Sequence, residues 1–131
     1  MQIPRHLVNQ ILHLAQLSPD QEISGLIGGR DNIPRSCYPV PVAEAGDLRL
    51  DPKGCRAALN AMAARDETLI AVLHTHPNAP AVPGSGDPAL PEFPAIPCLI
   101  VSLNTKGVLE MRGYRSNSAR PTTEFDLELT E

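Results

Sequence analysis

From Leu7 onward the apolar residues Leu7, Val8, Ile11, Leu12, Leu14 and Ala15 return every three or four positions. This spacing predicts one amphipathic helix, with Pro4 suited to its first turn and Pro19 ending the pattern. The short apolar run 22–28 closes on Gly28 and Gly29, and a turn at 31–34 leads into an extended segment at 36–42, which together read as a hairpin. Asp51 as N-cap and Pro52 at the first helical position open an alanine-rich second helix that runs to Ala64. Residues 68–75 are apolar on both alternating faces, the mark of a strand covered on both sides, and so central to its sheet. Three more strands are expected. Two, at 98–103 and 108–114, are joined by a turn at 104–107, and the third carries the alternating Phe125, Leu127 and Leu129. The fold class is α/β (α+β), a mixed sheet flanked by helices, in a single domain spanning 1–131.

Composition narrows what such a domain can do. Eleven Lys and Arg stand against fifteen Asp and Glu, so no basic footprint awaits a phosphate backbone and nucleic acid is not an expected partner. The longest uninterrupted apolar run, 69–73, is five residues, whereas a membrane span needs ~20. Arg5, His6, Gln10 and His13 interrupt the first apolar positions, leaving no signal-peptide core. The three cysteines, Cys37, Cys55 and Cys98, include no CxxC pair, which argues for a reducing compartment and places the chain in the cytoplasm. Half of the fourteen prolines fall between Pro77 and Pro97. Neither a long helix nor a central strand fits there, and a stretch of that kind inside a small domain is usually functional or disordered.

Candidate chemistry lies at the end of the central strand, in His74-Thr75-His76. Strand residues two apart point to the same face, ~6.6 Å apart along the chain, so both imidazoles can converge on one metal ion. The alternative is a pair of strand-end histidines that pack and hydrogen-bond without a ligand. No histidine follows His76, so a site with three protein ligands and an open fourth position must recruit a carboxylate, a cysteine or a distant upstream residue. Asp87 is the closest downstream candidate, and Gly84 and Gly86 permit the tight backbone needed to bring it back. Its competing role is a turn or cap aspartate before Pro88. Glu92 sits deeper among the prolines, and Cys98 opens an apolar strand where a buried thiol is ordinary. Other HxH classes fail on length or pattern. Metal-dependent TIM-barrel hydrolases need ~250 residues, the metallo-β-lactamase pattern needs an Asp-His where this chain has Asn78 and Ala79, and cupin sites need a later histidine. His6 and His13 are expected on the helix surface or in its packing, Cys37 and Cys55 as small buried or half-buried residues, and the acidic residues 124–131 as a solvated strand face.

These residues resemble the JAMM metalloproteases, the zinc-dependent members of the MPN-domain family. The signature is an upstream glutamate, then H-x-H-P, then a serine and an aspartate separated by two residues. Here Glu22 precedes Gly25, His74-Thr75-His76-Pro77 supplies the pair, and Asp87 follows eleven residues after His76. The family's serine would fall at position 84, which is Gly84, with Ser85 immediately after it. The resemblance implies the MPN (cytidine-deaminase-like) fold and one zinc ion (Zn2+) per chain on His74, His76 and Asp87, with water in the fourth position. It assigns Glu22 the proton transfer from that water to the leaving amine, and gives Ser85 the hydrogen bond to the developing oxyanion. The implied activity is a peptidase or isopeptidase cutting an amide bond at or near the C-terminus of a ubiquitin-like or sulfur-carrier-like protein substrate, with a homodimer allowed. A catalytically weak MPN module acting as an interaction scaffold, with Gly84 as its support, and a purely structural metal site remain as alternatives.

Overall fold

Proline brackets the first helix and aspartate opens the second. In the computed structural model, which describes residues 1–17, 21–41, 50–77, 81, 96–103, 110–117 and 120–131, α1 is Arg5–Leu17 and α2 is Pro52–Ala64. Gly84, Ser85, Gly86, Asp87, Glu92 and the expected turn at 104–107 lie outside the described residues. Asp51 caps α2 through Oδ2, which accepts from the Gly54 amide at 3.0 Å, and Pro52 takes the position where a missing N–H costs nothing.

The strands are β1 (Gln2–Pro4), β2 (Ser24–Arg30), β3 (Ile33–Pro39), β4 (Thr68–His76), β5 (Cys98–Ser102), β6 (Glu110–Asn117), β7 (Arg120–Phe125) and β8 (Glu128–Thr130). Six form one sheet in the order β3-β2-β4-β5-β6-β7, and β1 pairs separately with β8. The β4–β5 pairing is parallel and the others in the large sheet are antiparallel, so the sheet is mixed as expected. Leu7 and Ile11 of α1 are fully buried in a cluster with Ile27, Ala71, Leu73, Leu99 and Val101. On the other face Ala58 and Met62 of α2 pack with Leu26, Val40 and Val72. Each such Leu or Ile contributes ~1.5–3 kcal/mol through apolar burial, and a helix on each face is what makes residues 69–73 apolar throughout.

Three details differ from the sequence reading. Asp31 (φ 54°) and Asn32 (φ 63°) both adopt the left-handed region that a two-residue hairpin turn requires, so β3 starts at Ile33 rather than Ser36 and ends at Pro39. The β2–β4 register shifts between Ile27 and Gly28, leaving Ile70 as an extra residue, and Ile70 and Ala71 therefore both enter the α1-side cluster. The single strand expected through Phe125, Leu127 and Leu129 is two: Phe125 ends β7 opposite Gly113, while Leu129 belongs to β8 opposite Ile3.

Candidate active site

Strand alternation sends Val72, His74 and His76 to the α2 face of β4, and β2 delivers its first residues against them. Ser24 is the direct partner of His74. Just before the strand, the Ile23 amide donates to Thr75 Oγ1 at 2.7 Å and the Thr75 amide donates to the Ile23 carbonyl at 2.8 Å. This double clamp fixes the backbone that carries Glu22. On its other edge β2 lies tight against β3, where a Cβ at Gly25 would stand 2.7 Å from the Tyr38 carbonyl oxygen.

His74 is 2% exposed and addressed at both ring nitrogens. Its Nδ1 lies 3.0 Å from Ser24 Oγ, and its Nε2 lies 3.6 Å from Glu22 Oε2. The His76 ring, 7% exposed, meets that of His74 edge to face, with centroids 5.1 Å apart and planes at 81°. The Glu22 side chain remains largely open to solvent. A cleft of about 310 Å³ opens beside it, lined by Glu22, Ile23, Ser24, Pro39, Val40 and Pro41. A carboxylate reachable by water, next to two nearly buried imidazoles, can carry protons to and from a reacting group.

Three of the five expected site residues, Glu22, His74 and His76, are thus gathered, while Ser85 and Asp87 lie outside the described residues. Among the described residues no three His, Cys, Asp or Glu side chains form a metal-holding group. Ala81 shows where the chain goes after His76. It is buried with Cys98, Ile100 and Tyr114, and its carbonyl accepts from the Tyr114 hydroxyl at 2.7 Å. Ile100 is the register partner of His74, so Ala81 covers the histidine-bearing face of the sheet. Cys98 is buried, as expected of an apolar strand thiol, and none of the three cysteines is in a disulfide. His6 is exposed on α1 beside the Arg35 carbonyl, with Nε2 at 3.1 Å, away from the pair. Sequence reasoning gave no role to Ser24 or Tyr114. Only the register of β2 on β4, and the return of Ala81 onto β6, brings them to the site face.

A profile of the prokaryotic homologues of the JAB domain matches residues 4–113. The chain belongs to that family. The fold of this JAB-domain protein recurs in solved structures. A Desulfitobacterium hafniense protein superposes with a TM-score of 0.81 at 21% identity, covering 100% of this chain and 94% of the other. A JAB1/MPN domain protein from Archaeoglobus fulgidus gives 0.63 at 19%, covering 100% and 97%. A structure described as a metalloprotease-like zinc site in the proteasome and signalosome gives 0.60 at 17%, covering 100% and 98%. At these identities the likeness is one of fold. No functionally curated protein matches the chain. Among the described residues, no helix of this JAB-domain protein is long and apolar enough to cross a membrane.

Proposed function

We propose that this JAB-domain protein is a zinc-dependent hydrolase of amide bonds, acting at or near the C-terminus of a ubiquitin-like or sulfur-carrier-like protein in the cytoplasm, as a monomer or homodimer. The observation that carries the reading is the meeting of the Glu22 carboxylate with His74 Nε2 at 3.6 Å, beside a second imidazole on the same strand face. Two imidazoles converging from one strand face are donors that suit zinc. His74 and His76 would hold the ion with Asp87 as the third ligand. When bound, zinc supplies Lewis acidity and lowers the pKa of water from ~15.7 to ~7, so that hydrolysis can run at neutral pH.

The chain's own groups do the rest. Glu22, clamped through Ile23 and Thr75, takes a proton from the attacking water and hands it to the leaving amine. Ser85 donates to the oxyanion that develops on the scissile carbonyl. The apolar wall of the cleft at Ile23, Val40 and Pro41 receives the substrate chain next to Glu22. The weak-module reading is favoured by Gly84 at the position of the family's serine.

Zinc content and turnover together test the proposal. The purified chain should carry one zinc, which His74→Ala, His76→Ala and Asp87→Ala each remove. Glu22→Gln should retain it while turnover of a ubiquitin-like protein bearing a C-terminal amide-linked fluorophore falls ~10²-fold or more. Full zinc in Asp87→Ala refutes the third ligand, and unchanged turnover in Glu22→Gln refutes the base. Stoichiometric zinc without hydrolysis in the parent leaves the scaffold reading standing.

A further inference from the structure

We propose that Ser24 is a positioning residue for His74, its hydroxyl holding Nδ1 so that the ring keeps Nε2 aimed at the metal position whether or not metal is present. The inference rests on the zinc reading above and deepens it. Ser24 is 7% exposed, sits directly opposite His74 across the β2–β4 ladder, and places Oγ 3.0 Å from Nδ1. The contact is therefore set by backbone register rather than by the reach of a flexible side chain.

A histidine can bind metal through Nε2 only if that nitrogen is unprotonated, which puts the proton on Nδ1 and requires an acceptor there. Without metal, Nε2 faces the Glu22 carboxylate at 3.6 Å, and that carboxylate favours the proton on Nε2. Nδ1 must then accept. A hydroxyl is both donor and acceptor. Ser24 can accept from Nδ1–H in the metal-binding tautomer and donate to Nδ1 in the metal-free one, with the ring in the same place. A carboxylate or backbone carbonyl at this position would serve only the metal-loaded form, and a backbone amide only the metal-free one. The buried serine thus matches both neutral tautomers without a turn of the imidazole.

Outer partners of metal-bound histidines typically change affinity by ~10–100-fold when removed. Zinc affinity of the full chain, measured by competition with a chromophoric chelator, should fall by about that factor in Ser24→Ala. Ser24→Thr, which keeps a hydroxyl, should stay within about threefold of the parent, and Ser24→Cys, similar in volume but a weak acceptor, should resemble Ser24→Ala. In the zinc-loaded parent, ¹⁵N NMR should find a His74 Nδ1–H that exchanges slowly with water, and this protection should be lost in Ser24→Ala. If Ser24→Ala does not fold, Ser24→Cys carries the same comparison. A parent that binds zinc no better than Ser24→Ala and Ser24→Cys overturns the role of Ser24 while leaving the zinc reading intact. A parent that takes up no zinc overturns both.

Discussion

Replacing Gly25 by alanine isolates the close approach of β2 to β3, beside the residues that β2 presents to β4. The backbone at Gly25 is not left-handed, so the side chain is excluded by space rather than by conformation. An added Cβ would meet the Tyr38 carbonyl oxygen at 2.7 Å, the Pro39 Cα at 3.2 Å and the Tyr38 carbonyl carbon at 3.3 Å. All three are backbone atoms of β3, so no rotamer change can relieve the contact. The strands must part by several tenths of an ångström, pulling on the bond from the Val40 amide to the Ser24 carbonyl, now 3.0 Å long. Overpacking of this kind costs ~1–3 kcal/mol, while loss of glycine entropy from the unfolded chain returns ~0.4–1 kcal/mol. The net destabilisation should be roughly 1–2 kcal/mol, which for a domain of this length lowers the melting temperature by about 3–10 °C. Urea unfolding and calorimetry of Gly25→Ala against the parent measure it. A change smaller than about 0.5 kcal/mol, the scatter of ordinary surface substitutions, would refute the argument that β3 blocks a side chain here.

Two further outcomes follow from buried polar groups. Burial pushes the Cys37 thiol from 9.0 up to about 12, so the unfolded chain ionises first. The stability this contributes is intact below pH 9 and lost as pH rises towards 12. Urea midpoints taken at pH 8 and again above pH 10 should therefore fall further in the parent than in Cys37→Ala, and equal falls would contradict it. Tyr38→Phe removes a donor from the buried Glu67 carboxylate, which also accepts from Ser36 Oγ at 3.0 Å. Loss of that charge-assisted bond should cost about 1–3 kcal/mol in chemical unfolding, and a neutral result would mean that water replaces the tyrosine.

Local signals in the chain sufficed for the elements whose ends are written in side chains. Asp51 and Pro52 announce α2 to the residue because a cap and a ring-locked φ act within one turn. Strand alternation put His74 and His76 on one face of β4, and the apolar run 69–73 announced a strand with a helix on each side. What the pattern did not carry depends on partners distant in sequence. Three-residue β1 pairs with β8 across the whole chain, and β7 begins with Arg120 and Pro121, whose strand conformation comes from pairing with Asn117 and Ser116 of β6 rather than from propensity. The extra residue Ile70 looks like any other apolar position until its partner strand is known. Ser24 is equally unremarkable until the ladder sets it opposite His74.

The parallel pairing of β4 with β5 has a thermodynamic consequence. Val72 lies opposite Cys98 and His76 opposite Ser102, so a chain leaving β4 at His76 re-enters the sheet four residues further back, about 13 Å away. The Val72 amide closes this ring on the Pro97 carbonyl at 2.9 Å. The twenty-one residues 77–97 could span up to ~70 Å if extended, far more than the gap requires. Closing so long a ring costs only logarithmically more than closing a shorter one, and the seven prolines within it already restrict the unfolded ensemble. The entropy of closing this ring therefore depends only weakly on its length. Ala81, buried against Tyr114, and Pro97, bonded to Val72, tie it to the sheet, and the two imidazoles are fixed by β4 and its neighbours.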